Sequence, residues 1–423
     1  MGQFSDFANS CTHPVHYDCD EVFNKNPVNS LSSVPPLSQN IQAWDALQVP
    51  PYVRQSIAGH QLSLNSRPPL VLPRPSMETT ADRSTAPIIQ EAVDDLLQKG
   101  AIEPAEQNKG FYSRLFTVPK KGGSRRPVIN LKPLNKFITT PKFRMASVLT
   151  VAKIIQPGDW ATSLDLKDAF FHIPIHKRFR RFLRFIWKGK AFQFRVTPFG
   201  LATAPYTFTR VTRPVMQWCR ANGMRVIFYL DDILLLASSE HLAKEQTTAL
   251  QNKLTHLGFN INHEKSDLIP SMTFKYLGLN WDSEAMEVVL PSEKVLEIRS
   301  AASSLLRHKA PTSRAVLRFL GKTNFASIAV PMGRLRCRPL QRVVRRGAAN
   351  LFQRVTLSND ARRALKWWIA LEHSSSPLSF PEPSLTLTTD ASLTGWGVLF
   401  PICRSAGYGP IPCVNAVTST SWR

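Results

Sequence analysis

The sequence predicts an α+β fold in which helices pack on one face of an antiparallel sheet, and three observations carry that expectation. Residues 87 to 290 alternate hairpin-like apolar runs with helix-period segments, so helices are inserted between antiparallel hairpins rather than between parallel strands. The chain has 423 residues and is 43% hydrophobic, too long for one ordinary core and apolar enough to build several. The run "RVIFYLDDILLLA", Arg225 to Ala237, has the composition of a buried hairpin, yet two adjacent aspartates, Asp231 and Asp232, sit at its tip.

In chain order, residues 1 to 85 are rich in Pro, Ser and Asn and read as a mostly flexible leader, with one ordered island around "AWDALQVPPYVRQSIAGH". Within the leader, Cys11, His13, His16 and Cys19 are zinc-type side chains. Their spacing matches no common zinc finger, and a disordered tail is the favoured reading. The globular pattern starts near Pro87, where "PIIQEAVDDLLQKG" puts Ile89, Val93, Leu96 and Leu97 on one helical face, with Gly100 as the stop. "SRLFTVPKKGGSRRPVINL" reads as strand, turn and strand. "WATSLDLKDAFFHIPI" is a strand running into a turn around Asp165, and "RFLRFIWKGKAFQFRV" is a hairpin turning at Lys188 to Lys190. A helix then ends at Gly223, the Asp-Asp hairpin follows, and "HLAKEQTTALQNKLTHLG" forms another helix before the hairpin "FKYLGLNWDSEAMEVVL". Residues 291 to 372 look helical with breaks near Pro311 and Pro331, 373 to 384 read as a Pro/Ser-rich linker, and 385 to 423 begin a new unit with two strands.

Charge narrows the function class. Lys and Arg number 53 against 30 Asp and Glu, a formal net charge of +23, which favours a polyanionic partner. Its distribution is sharper than its sum: no acid occurs between Asp168 and Asp231, and none between Ile298 and Asn359, while both tracts are dense in Arg and Lys. Solvated faces usually mix both signs, so nucleic acid is the expected partner. No run of about eighteen apolar residues occurs, no basic and then apolar signal opens the chain, and Asp6 stands where a myristoylation signal needs Ser or Thr. These features suggest an intracellular protein, cytoplasmic or nuclear, without a membrane partner. Six scattered cysteines do not make a disulfide framework.

An Asp-Asp pair at a hairpin tip is either a solvated turn or a metal site, because neighbouring carboxylates in an apolar setting need a cation, donors or protons. Asp165 shifts the balance: it also ends an apolar strand, and the tract from it to Asp231 contains Asp168 as its one further acid. Three carboxylates on adjacent strand ends suit two Mg²⁺ ions about 3.5 to 4 Å apart, the arrangement used for phosphoryl transfer.

The ordered series "SLDLKDAFFHIPI", "TPFGLATAPYTF", "FYLDD", "LGFNINHEKS" and "FKYLGL" resembles the successive motifs of retroelement reverse transcriptases over residues 87 to 290. The resemblance implies a right-hand polymerase of palm, fingers and thumb, with fingers and palm over 86 to 290 and a helical thumb and connection over 291 to 372. Within the family the motifs are most similar to elements with long terminal repeats, the DIRS type being favoured over the gypsy type. The activity implied is RNA-directed DNA polymerisation with two Mg²⁺ ions, Mn²⁺ being the alternative. The partners implied are an RNA template, a DNA primer and product, the RNA-DNA hybrid, a deoxynucleoside triphosphate and other retroelement proteins.

Carried onto this sequence, the resemblance makes Asp165, Asp231 and Asp232 the metal-binding catalytic residues, with the Leu166 carbonyl as a further ligand. Lys120 or Lys121 and Arg126 would grip the triphosphate, near the backbone of Asp168 and Ala169. Phe170 matches the ring that excludes a ribose 2′-hydroxyl, while Phe199 and Gly200 line the nucleotide pocket. Lys265 matches the general acid for departing pyrophosphate, and Leu277 with Gly278 the primer grip. Asn130 stands where many relatives carry Asp, Phe199 where retroviral enzymes carry Gln, and Leu230 varies the Asp-Asp box.

"LTLTTDASLTGWGVLF" resembles the first hairpin of ribonuclease H, with Asp390 as its first carboxylate. No Asp or Glu follows Asp390, and "PICRSAGYGPIPCVNAVTSTSWR" has lost the pattern, so the domain reads as truncated and no ribonuclease H activity is expected. The contrasting reading of the whole chain is a catalytically silent or domesticated nucleic-acid-binding relic. An RNA-templated RNA polymerase is disfavoured by Phe170.

Overall fold

The computed structural model describes residues 37–119, 125–345, 350–372, 374–378, 388–391, 395–399 and 404–408. At its centre lies a four-stranded antiparallel sheet in the order Arg225–Tyr229, Asp232–Ala237, Trp160–Asp165, Asp267–Ser271. Its uninterrupted hydrophobicity has a direct cause. Along the second of these strands Ile233, Leu235 and Ala237 point into one core with the helices Ala204–Ala221 and Glu240–His256, whereas Leu234 and Leu236 point into another. Both faces are therefore covered, and alternation of polar and apolar residues disappears. This corrects the expectation of helices on one face only. The second face is closed by a further antiparallel sheet, Thr273–Tyr276, Leu279–Asp282, Glu287–Val289 and Ser375–Pro377, and by the C-terminal helices.

The strand starts are tied together as well as the strands. Asp159, 1% exposed, takes both oxygens to the Arg225 guanidinium, with Nη1 donating to Oδ2 at 2.6 Å. Such a fork holds the strand at 160 against the hairpin at 225 and so fixes the register that decides where the aspartates fall.

A third core belongs to the segment before the sheet. The helix Ala86–Gln98, the hairpin Arg184–Trp187 with Lys190–Phe194, and Ile102–Pro104 enclose Ile89, Val93, Phe185 and Phe194. The turn at Lys188 and Gly189, both at positive φ, falls where the sequence predicts it. Strands Leu115–Pro119 and Arg125–Ile129 pair as a hairpin.

The ordered island expected around residues 43 to 60 is present and extends beyond those bounds. Residues 37 to 64 are folded: Leu37, Trp44, Val53 and Ile57 are fully buried against the helix pair under the sheet. Asn40 and Trp44 donate to the carbonyls of His256 and Leu257 at 2.8 and 3.0 Å, satisfying orphan acceptors at the end of the helix Glu240–His256. Cys11, His13, His16 and Cys19 lie outside the described residues. The linker expectation is also corrected at its start, because Ser375–Pro377 pairs with Glu287–Val289 as an edge strand. Pro377 is tolerated at such an edge, where no further strand asks for its missing N–H.

Helices Ser292–Arg307, Ser313–Ala326, Gly333–Arg345 and Asn359–Ile369 pack through Ile298, Phe319, Leu340 and Trp368, with breaks where Pro311 and Pro331 predict them. Arg334, Arg336, Arg338 and Arg342 stand on the exposed side of the third. Strands Thr388–Ala391 and Gly395–Leu399 pair, and a third strand, Arg404–Tyr408, continues the meander into a tail that the sequence alone leaves patternless.

Candidate active site

Asp165 closes its strand directly opposite Asp232, the first residue of the neighbouring strand, and Tyr229 faces Asp232 from the other side. Asp231 occupies the turn between, after Leu230, whose φ of 56° is left-handed. A branched side chain in that conformation costs on the order of 1 kcal/mol and persists only where surrounding bonds enforce it. Here the Leu166 amide donates to the Asp231 carbonyl at 2.8 Å, and the buried Tyr276 hydroxyl donates to the Asp232 carbonyl at 3.0 Å. The turn is thus clamped from both flanks.

Asp165 is held by a loop absent from the predicted site. Asn262 Nδ2 donates to its Oδ1 at 3.0 Å, the Asn262 amide donates to its carbonyl at 2.8 Å, and its own amide donates to Ser266 Oγ at 3.0 Å. Lys265 is exposed in the same loop, its amide donating to the Asn262 carbonyl at 3.2 Å. Burial raises the Asp231 carboxyl above its usual range, the Asp165 charge adds to that, and the Lys265 charge opposes it. Asp232 is pushed up to about 7, chiefly by burial and then by Asp231, Asp165 and Asp267. Mutual repulsion of this kind is what a divalent cation relieves.

Among the described residues no three Asp, Glu, His or Cys side chains are gathered into a preformed metal cluster. The donor chemistry nonetheless fits: hard carboxylate oxygens on fixed strand ends, electrostatically unsatisfied, with the Asp165 carboxylate held toward Asn262. Leu166, 1% exposed, continues from Asp165 and bridges to Ile261.

Next to the strand end lies a second group. Asp168 adopts a left-handed φ of 52°, and its carboxylate meets Lys99 Nζ at 3.1 Å, which also meets Asp95 at 2.9 Å. Ala169 is buried and opens the short helical turn Ala169–His172. The half-buried Phe170 ring lies 5.2 Å from Phe199 and 5.7 Å from Phe208, and Phe199 remains 45% exposed. Gly200, at a φ of 94°, accepts from Asn135 Nδ2 at 2.9 Å. Behind them His172 is fully buried, its Nδ1 bonded to the Ala169 carbonyl at 3.2 Å and its Nε2 accepting from the Asn260 amide at 3.0 Å.

Leu277 and Gly278, at φ 48° and 76°, form the tight turn joining Thr273–Tyr276 to Leu279–Asp282. The turn follows Tyr276, whose hydroxyl reaches the aspartate strand. Arg126 is on the strand Arg125–Ile129, but its side chain, like Lys120 and Lys121, lies outside the described residues. Asp390 pairs in register with Gly397, far along the chain from this group, and its side chain also lies outside them. Asn262, Lys99, His172 and Tyr276 are the positions that motif reading passes over. Asn262 carries a signal in hindsight, three residues before Lys265 in "NINHEKS"; Lys99 carries none beyond its i,i+4 relation to Asp95.

The profile of the family "Reverse transcriptase (RNA-dependent DNA polymerase)" matches residues 118–281. The Transposon Tf2-3 polyprotein of Schizosaccharomyces pombe is 27% identical over 230 residues, 54% of this chain and 16% of that protein. The Pro-Pol polyprotein of Simian foamy virus type 1 is 26% identical over 212 residues, 50% of this chain and 18% of that one. The chain therefore spans less than a fifth of the length of either polyprotein. In structure, the foamy viral protease-reverse transcriptase dRH in complex with double-stranded DNA aligns over 91% of this chain and 70% of its own, with a TM-score of 0.61 and 20% identity. The foamy viral protease-reverse transcriptase in complex with an RNA/DNA hybrid aligns over 92% of this chain and 54% of its own, with a TM-score of 0.59 and 19% identity. Over residues 118–281 the chain thus matches the reverse transcriptase family, and its fold is the right-hand polymerase fold.

Proposed function

We propose that the chain is an RNA-directed DNA polymerase that extends a primer 3′-hydroxyl with deoxynucleoside triphosphates on an RNA or DNA template. The observation that carries the reading is the in-register pair Asp165 and Asp232, with Asp231 in the clamped turn beside them and, a few residues along the chain from Asp165, Phe170 in its ring contact with Phe199. Asp165, Asp231 and Asp232, with the Leu166 carbonyl, would hold two Mg²⁺ ions. When bound, such ions stabilise charge on the attacking and leaving oxygens of an in-line displacement.

The chain's own residues do the rest. Asn262 orients the Asp165 carboxylate, and the Leu166 and Tyr276 bonds fix the Asp-Asp turn. Lys120, Lys121 and Arg126 supply cations for the triphosphate, beside the Asp168–Ala169 backbone. Phe170 sits under the sugar and excludes a 2′-hydroxyl, Phe199 and Gly200 bound the base, and Leu277–Gly278 turns toward the primer. Lys265, exposed and with a charge that acts on Asp231, would give a proton to pyrophosphate. The basic helices after residue 291 would follow the phosphate backbone as thumb and connection, making binding steeply salt-dependent.

The source element is read as DIRS type rather than gypsy type, on "LDLKDAFFHIPIHKRFRRFLRF" and "FYLDDILLLA". Asp390, on the strand Thr388–Ala391, is read as the first carboxylate of a ribonuclease H-like hairpin. An intracellular setting and other retroelement-encoded proteins as partners complete the proposal; no described helix is long and apolar enough to cross a membrane. Primer extension on an RNA template with Mg²⁺ or Mn²⁺, comparing the parent with Asp231→Asn, tests it. Extension by the parent alone is expected. Salt-sensitive binding with no metal-dependent extension would instead point to a silent relic.

A further inference from the structure

The folded part of the leader builds a cavity that the polymerase reading does not use. About 240 Å³ in volume, it lies between the helix Pro51–Gly59, the segment around Thr139, and the first turns of the helix Ala204–Ala221. Thr203, Tyr206, Thr207 and Arg210 line it from that helix, at the three- and four-residue spacing that puts side chains on one face. Phe208, between them in sequence, turns the other way onto Phe170. The cavity is therefore on the opposite side of the helix from Phe170.

Its chemistry is specific. The Arg210 guanidinium stacks 3.5 Å above the Tyr52 ring, and its Nη1 donates to the Tyr206 hydroxyl at 3.0 Å. Among the described residues Arg210 makes no ion pair, and no acid lines the cavity. Thr203 is 4% exposed, yet its Oγ1 has no hydrogen-bond partner, an unfavourable state for a buried hydroxyl. Burial pushes the lining His60 down to about 4, so it presents a neutral ring.

From the stacked Tyr52–Arg210 pair, the unpartnered Thr203 hydroxyl and the acid-free lining, we propose that this cavity holds one unpaired nucleotide of a single-stranded nucleic acid. Aromatic and guanidinium planes are the usual platforms for an unstacked base, and a lone arginine without a carboxylate suits one phosphate. A free triphosphate would ask for several cations, and only Arg210 is present in the lining. The proposal goes beyond polymerisation: it gives the leader a strand-holding role outside the catalytic pocket.

The test uses the full chain in EDTA, so that catalytic metals take no part, and reads fluorescence anisotropy of labelled oligothymidylate and of a blunt duplex. Tyr52→Leu and Arg210→Gln should each weaken oligothymidylate binding by about tenfold, the scale of one lost stacked base. Blunt-duplex affinity should stay within about twofold of the parent. Parallel losses for both ligands, or no loss for either, would overturn the idea. Ultraviolet cross-linking of oligothymidylate to the unaltered chain decides the matter even where a variant fails to fold: cross-links at Tyr52 or Tyr206 support the site, and cross-links confined elsewhere reject it. Displacement by thymidine monophosphate at equal nucleotide concentration would mean a free-nucleotide site and reject the strand. Primer extension followed in parallel reports separately on the polymerase reading.

Discussion

Asp165 and Asp232 stand directly opposite each other across the two middle strands of the central sheet. Like charges facing across a ladder repel, and burial adds to the cost. Without a cation Asp232 rises to about 7 from an ordinary value of 3.8, through burial first and then Asp231, Asp165 and Asp267. An acid raised on folding contributes stability below its unfolded value and loses it as pH climbs toward its folded one. In EDTA, Asp232→Asn should therefore be more stable than the parent at pH 8, by on the order of 2 kcal/mol, with the difference gone near pH 4. Added Mg²⁺ should stabilise the parent more than the variant. Urea midpoints at both pH values, with and without Mg²⁺, check this, and a variant no more stable than the parent at pH 8 contradicts it.

Two buried histidines predict the opposite slope in acid. His60 and His172 are each pushed down to about 4 by burial from an ordinary 6.5. The unfolded chain binds their protons first, so the stability they contribute is complete above about pH 6.5 and is lost as pH falls toward 4. His172 cannot accept a proton without turning its Nε2 into a donor against the Asn260 amide. Replacing His172 with Gln should flatten the denaturation midpoint between pH 6.5 and 4, at a cost near neutrality of about 1 to 3 kcal/mol from imperfectly replaced bonds. An unchanged pH slope would show that His172 does not titrate in this range.

Lys99 gives a prediction that separates binding from chemistry. Asp168 keeps a left-handed backbone while Lys99 grips its carboxylate at 3.1 Å and Asp95 holds Lys99 at 2.9 Å. If the Asp168–Ala169 backbone meets the triphosphate, loosening this chain weakens nucleotide binding before it slows the step. Lys99→Met should raise KM for the deoxynucleotide by about five- to tenfold with kcat within about threefold, and Lys99→Arg should restore most of it. A loss confined to kcat would remove Lys99 from a positioning role.

How far the sequence carries the fold depends on whether the signal is local. The Asp-Asp hairpin was legible because its strands are continuous in sequence and both faces of the sheet are buried, leaving no polar alternation to confuse the reading. The turn at Lys188–Gly189 and the breaks near Pro311 and Pro331 were legible for the same reason, since each is set by neighbouring residues. What was missed depends on contacts distant in sequence. The ordered island around Trp44 is legible, but not that its indole meets the Leu257 carbonyl, and Asn262 looks like a loop amide until it meets Asp165. The strand Ser375–Pro377 has linker composition, and only the open edge at Glu287–Val289 makes it a strand.

Phe170 offers the sharpest test of the proposed nucleotide site. Its ring is fixed by edge or tilted contacts with Phe199 and Phe208, so it has little freedom to swing away from a larger sugar. Truncation to Ala removes the ring that the 2′-hydroxyl would strike, while Phe208, fully buried, keeps the helix behind it in place. Phe170→Ala should raise the efficiency of ribonucleotide relative to deoxynucleotide incorporation by at least about tenfold, because exclusion by a clash is lost when the clashing atoms are removed. Some stability goes with it, about 2 kcal/mol for a half-buried ring, so the ratio of the two substrates in one preparation is the proper readout rather than either rate. Phe170→Tyr keeps the contacts and should keep the ratio. If the Ala variant discriminates as well as the parent, the ring is a packing element, and sugar selection belongs to another residue of the pocket.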